Sequence, residues 1–134
     1  MEKQNKYSVT ELGPGEGISR VMLKDTLSLT GAEISANHMP AGKSSPFAHA
    51  HKRNEEIYLF TEGKGLFWLD GEILNVKAGT AVRVSPAIVR CLKADANVSL
   101  SYFCIQVDEG SLVQATRDDG IRSDIKPEWL VQDY

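Results

Sequence analysis

Three side chains near the middle of the chain, His49, His51 and Glu56, are of the types and at the spacing that could hold a divalent metal ion. Residues two apart on a β-strand project to the same side, so a strand through His49-Ala50-His51 presents both imidazoles together. Glu56 opens the next apolar run, Ile57-Tyr58-Leu59-Phe60, which reads as the neighbouring strand. Two neutral nitrogen donors and one carboxylate brought together in this way form a facial set for iron, manganese, nickel or zinc, with coordination positions left open. Open positions are what water, dioxygen or a substrate needs to reach the ion. Glu55 competes with Glu56 here, because alternation decides only that one of the two faces in and the other out.

These residues must be carried by strands, since helical periodicity is nearly absent. Short apolar runs predict strands near Tyr7–Leu12, Ser19–Leu23, Glu33–Met39, Phe47–His51, Glu56–Phe60, Leu66–Leu69, Glu72–Val76, Ala81–Val84, Arg90–Lys93 and Val98–Val107. Gly13-Pro14-Gly15, Pro40-Ala41-Gly42, Glu62-Gly63-Lys64-Gly65 and Lys77-Ala78-Gly79 punctuate them. Asp70-Gly71 between two apolar runs is a two-residue hairpin signal, because both turn positions must tolerate positive φ. Many short strands at this spacing argue for an all-β sandwich or barrel. Alternation along the last strand puts Tyr102, Cys104 and Gln106 on one face, a candidate pocket wall. Tyr58 and Phe60 share the face of Glu56, and Phe47 shares that of the histidines, which makes them the candidate apolar lining. His38 has no partner by spacing and reads as a solvated or core histidine, and Trp68 as a core or interface residue.

At 134 residues the chain is expected to form a single domain, 1–134. Its polar start, Met1 to Lys6, has no apolar segment behind it, and no apolar run approaches the roughly 18–20 residues a bilayer requires. A cytoplasmic protein with no membrane partner is the expectation. The net charge of −3 and the lack of a Lys/Arg block argue against nucleic acid as a partner. The two cysteines, Cys91 and Cys104, are placed on strands joined through Lys93-Ala94-Asp95-Ala96-Asn97. That hairpin sets Cys91 opposite Leu100 and leaves Cys104 beyond disulfide reach, so both are expected reduced. The tail from residue 108 is more polar and ends on Pro127-Glu128-Trp129-Leu130, where Trp129 is expected to pack on the barrel or on a second subunit.

The arrangement Gly42, His49-Ala50-His51, Glu56, Gly63 resembles the first motif of the cupin superfamily, with a front gap one residue longer than usual. That spacing picks Glu56 over Glu55. Gly79 to Arg90 resembles the second motif, with its leading glycine and its proline region at Pro86. It departs from the pattern in Ala87, where a glycine is common, and in Arg90, where a third metal-binding histidine normally stands. The resemblance covers about residues 33–107, with 108–134 as a C-terminal tail. It implies a double-stranded β-helix (jelly-roll) barrel, commonly a homodimer. Arginine stays protonated and cannot ligate a metal. Two readings of Arg90 stay open: it clamps an anionic substrate beside a metal held by His49, His51 and Glu56, or it neutralises Glu56 in an ion pair. The resemblance thus implies a protein that binds a divalent metal and a small anionic metabolite, as a dioxygenase or isomerase. The candidate substrate-binding residues are Arg90, Tyr58, Phe47, Phe60, Tyr102 and Cys104. The alternatives are a metal-free binding or sensing module, and a metal-free isomerase using histidine as base with Tyr58 or Tyr102 as acid.

Overall fold

A single strand organises the molecule. The apolar alternation that starts at Glu56 does not end at Phe60; it continues through Gly63-Lys64-Gly65 to Leu69, giving one strand of 16 residues, β3 (Asn54–Leu69). The computed structural model describes residues 6–114 and 117–130. Around β3 stand β1 (Arg20–Met22), the one-turn helix α1 (Leu23–Leu27), β2 (Glu33–Met39), β4 (Glu72–Lys77), β5 (Ala81–Val84), β6 (Arg90–Ala94) and β7 (Leu100–Asp108). All strand pairings are antiparallel. The first half of β3 pairs with β7 and β5, and β7 continues through β2 to β1. The second half pairs with β4 and β6. One long strand shared by two groups of partners bends the seven-stranded sheet into the jelly-roll barrel.

The change of partners is marked by a register shift between Phe60 and Glu62. A bulge inserts one residue and flips the inward phase. Before it the buried positions are Glu56, Tyr58 and Phe60; after it they are Gly65 and Phe67. Tyr58, Phe60 and Phe67, with Val76, Val84, Leu92, Ala94, Leu100 and Cys104, form the hydrophobic core. Gly63 sits in the crossing with φ of +79°, and a Cβ there would run into the Ser99 carbonyl. The Asp70-Gly71 turn carries φ of +47° and +94°, as a tight hairpin requires.

Several expectations are corrected. Tyr7–Leu12 forms no strand, because β1 already occupies the open edge of β2. Phe47–His51 forms no regular strand either; it meets β6 through a single bridge, His49 to Arg90. Pro46 has no N–H to give to a ladder there. The last strand starts at Leu100, since Asp95 accepts the Asn97 N–H at 2.9 Å and holds 95–97 in a turn. The hairpin register through that turn is also overturned. β6 and β7 pair with different halves of β3, so Cys91 lies opposite Trp68 and Leu100 opposite Gly63. Both cysteines are nonetheless free, as expected. Trp129 is 76% exposed and does not pack on its own barrel. The expected domain limits, Met1 and Tyr134, lie outside the described residues.

Gly63→Ala and Gly71→Ala each force a side chain into left-handed backbone, at about 1–2 kcal/mol. Only Gly63→Ala adds a collision with backbone. Urea denaturation is expected to show Gly63→Ala clearly the more destabilised of the two; equal losses would contradict the tight crossing.

Candidate metal centre

The two histidines are set in place by backbone pairing rather than by a regular strand. The His49 N–H donates to the Arg90 carbonyl at 3.1 Å, the Arg90 N–H donates back to His49 at 2.9 Å, and the His51 N–H donates to the Pro86 carbonyl at 2.8 Å. Both rings reach the mouth of the barrel, edge to face, with centroids 5.1 Å apart. Glu56 comes from β3, held between Val84 of β5 and Gln106 of β7, and is 3% exposed. One ligand atom from each of His49, His51 and Glu56 lies within 4.8 Å of the others.

The detail of this cluster tests whether a metal fits. His51 Nε2 stands 2.9 Å from Glu56 Oε2. That is hydrogen-bond distance, yet the geometry makes no hydrogen bond, and the buried Nε2 has no hydrogen-bond partner among the described residues. Two ligand atoms side by side whose alignment makes no hydrogen bond suit a shared cation. Ligands at about 2.1 Å from an ion, at right angles to each other, stand about 3 Å apart, the spacing of the His51 and Glu56 atoms. The other carboxylate oxygen is already in use, because Tyr58 Oη donates to Glu56 Oε1 at 2.6 Å. Glu56 therefore presents one free oxygen, with the other fixed from behind.

Arg90 is the most deeply buried charge among the described residues, at 1% exposure. Its Nε lies 3.6 Å from Glu56 Oε1, an ion pair without a hydrogen bond. Nη2 donates to the Ser85 carbonyl at 3.0 Å and Nη1 to the Pro86 carbonyl at 3.5 Å. The guanidinium is thus held on Glu56 and on the loop that also pins His51. Burial alone would raise the Glu56 carboxyl, but the Tyr58 hydrogen bond, the charges of His51 and Arg90 and the Cys104 thiol bring it below its ordinary value. Burial also lowers His49; Glu56 opposes this, and His51, Arg90 and Arg20 add to it. Tyr58 is driven far up, first by burial and then by Cys104 and Glu56, so it stays a donor. Cys104 is pushed up to about 12 by burial and the neighbouring carboxylate, an unreactive thiol.

A cavity of about 220 Å³ opens onto this cluster. His49, His51, Glu56, Arg90, Phe47, Tyr58, Tyr102 and Cys104 all line it, and the structure brings these sequence-chosen residues together. Phe47 stands at the rim, 67% exposed. Phe60 does not reach the cavity; it packs behind Tyr58 in the core. Glu55 faces outward and pairs with Arg83 at 2.7 Å. His38 lies away from the cavity and shares a 2.8 Å hydrogen bond with the Ser101 hydroxyl. Sequence reasoning missed Arg20, Ser35 and Asn37 in the cavity wall. Their strands were read, but which face of β1 and β2 meets the mouth depends on long-range register.

Residues 37–106, just over half of the chain, match the family model described as "Cupin domain". An uncharacterized protein from Methanocaldococcus jannaschii is 36% identical over 66 residues, 49% of this chain. The chain matches 52% of that curated relative's length. The crystal structure of a cupin protein from Bacteroides fragilis superposes with a TM-score of 0.84 at 41% identity, covering 90% of this chain and 99% of that one. A predicted oxalate decarboxylase from Thermotoga maritima shares the fold, with a TM-score of 0.53 at 23% identity over 56% of this chain and 64% of that one. No helix among the described residues is long and apolar enough to cross a membrane.

The lowered values of His49 and Glu56 predict a pH dependence for metal-free protein. Below the ordinary imidazole value of 6.5 the unfolded chain takes up the His49 proton first, so folding stability falls with pH. The Glu56 contribution is present above 4.5 and is lost as pH falls through its lower folded value, in the same direction. Denaturation in chelator at pH 7, 6 and 5 is expected to show declining stability, with a shallower decline in His49→Gln. An unchanged slope in that variant would contradict the assignment.

Proposed function

Because the chain belongs to the cupin family, we propose that it binds a divalent transition metal through His49, His51 and Glu56 and takes up a small anionic metabolite beside it, as a metal-dependent enzyme of the dioxygenase or isomerase kind. The observation that carries this reading is the buried His51 Nε2 standing 2.9 Å from Glu56 Oε2 without a hydrogen bond. His49 and His51 would be the nitrogen ligands and Glu56 the single-oxygen ligand, and iron, manganese, nickel and zinc all suit this set. When bound, the metal supplies Lewis acidity toward a carbonyl or carboxylate oxygen. The chain's own residues do the rest. Tyr58 holds the Glu56 carboxylate in one orientation, Arg90 offsets its charge, and Phe47, Phe67 and Leu92 exclude water from part of the cavity. The volume of about 220 Å³ suits a metabolite of a few carbon atoms. The fold neighbour described as a predicted oxalate decarboxylase would act on such a molecule.

A second reading, a metal-free binding or sensing module, is favoured by the Arg90–Glu56 ion pair in the place of a third histidine. Elemental analysis of protein grown with metal and purified without chelator decides between them. One ion per chain, reduced at least tenfold in His49→Ala and in Glu56→Gln, is expected, together with a melting temperature several degrees higher for loaded than for chelated protein. Sub-stoichiometric metal in wild type and no thermal shift would sink the metal reading.

The same proposal includes a homodimer in the cytoplasm. Leu66, Trp68 and Ile73 are exposed on the outer sheet face, and Trp129 and Leu130 on the tail, which supports a second copy as their cover. Light scattering is expected to give twice the chain mass of 14.7 kDa; a monomer at micromolar concentration would contradict this.

A further inference from the structure

Arg20 belongs to β1, outside the residues the family model matches. Register carries it to the site all the same. It lies opposite Asn37 on β2, Asn37 lies opposite Tyr102 on β7, and all three line the cavity. Arg20 is exposed at the mouth and makes no ion pair and no side-chain hydrogen bond among the described residues. The cavity's other arginine, Arg90, is committed to Glu56 and to two backbone carbonyls. Glu56 is the only carboxylate in the cavity wall among the described residues. The acid of β2, Glu33, does not line the cavity and accepts the Lys24 backbone N–H at 2.8 Å. A metal ion at His49, His51 and Glu56 would leave the cavity with excess positive charge, at its floor and again at Arg20.

We infer that Arg20 binds a second carboxylate of the ligand, so that the site selects a short dicarboxylic acid with one end at the metal and the other at the mouth. This rests on the metal reading above. A guanidinium offers two parallel N–H donors matched to a carboxylate, and one with no partner inside the protein has them free. The Asn37 side chain beside it is held in place, donating through Nδ2 to the Ser35 carbonyl and hydroxyl at 3.2 and 3.0 Å. The small volume favours a carboxylate over a bulkier phosphate ester. The charge of Arg20 is also felt inside: burial carries Tyr102 up to about 12 with help from Cys104, and Arg20 opposes the rise.

Malate and lactate test this directly, because both present the same 2-hydroxy acid to a metal and differ by one carboxylate. Calorimetric titration of nickel-loaded protein is expected to show malate binding at least about tenfold more tightly than lactate, the size of one charge-assisted contact. In Arg20→Gln malate is expected to fall to the lactate level, with lactate affinity and nickel stoichiometry unchanged. Arg20→Lys is expected to recover part of the preference. Equal affinities in wild type, or a preference that survives Arg20→Gln, would overturn the role of Arg20 while leaving the metal reading intact. Failure of wild type to take up nickel would overturn both, and elemental analysis of the same samples tells the two failures apart.

Discussion

The site exists because β3 serves two groups of partners at once. Its first half, paired with β5 and β7, delivers Glu56 and Tyr58 to the mouth; its second half, paired with β4 and β6, sets the register of Arg90 opposite Leu69. The shift at Phe60/Glu62 keeps inward residues inward through the crossing by changing the phase of the alternation. Without that shift Phe67 would point to solvent and Trp68 to the core. The crossing also explains why two glycines stand close together there: Gly63 and Gly65 both bring backbone against backbone where a side chain would not fit.

Glu56 is the electrostatic centre of the mouth. A carboxylate taken out of water is costly unless its oxygens are satisfied. Here Tyr58 and Arg90 attend to Oε1, while Oε2 faces the His51 nitrogen at 2.9 Å without a hydrogen bond. The asymmetry divides the residue into a supported side and an open side. The same division explains Arg90: its charge is compensated on one flank by Glu56, and its remaining donors are absorbed by Ser85 and Pro86. An arginine in the place of a third histidine therefore works as part of the supporting layer.

Much of this was legible in the chain. The span of β2 and β5 followed from their apolar runs, Glu33–Met39 and Ala81–Val84. The choice of Glu56 over Glu55 rested on motif spacing and agrees with the burial of one and the outward Arg83 pair of the other. What failed were readings that took neighbours in sequence to be partners in space. The Lys93–Asn97 connection looked like a hairpin, but its two strands belong to different halves of the barrel. The five residues of α1 are too few for a helical period to declare itself. Phe60 shares the face of Glu56, yet it lies too deep along the strand to reach the mouth.

Residue types and local spacing were enough to determine the all-β class and the Asp70-Gly71 turn, and motif spacing picked out His49, His51 and Glu56 as the candidate donor set, since each depends on positions a few residues apart. Tertiary structure alone decided which oxygen of Glu56 is open, what occupies the Arg90 guanidinium, and that Arg20 joins the same cavity. Those outcomes depend on register across β1, β2, β7 and β3, whose pairs are set by the packing of the whole barrel and leave no short-range trace in the chain.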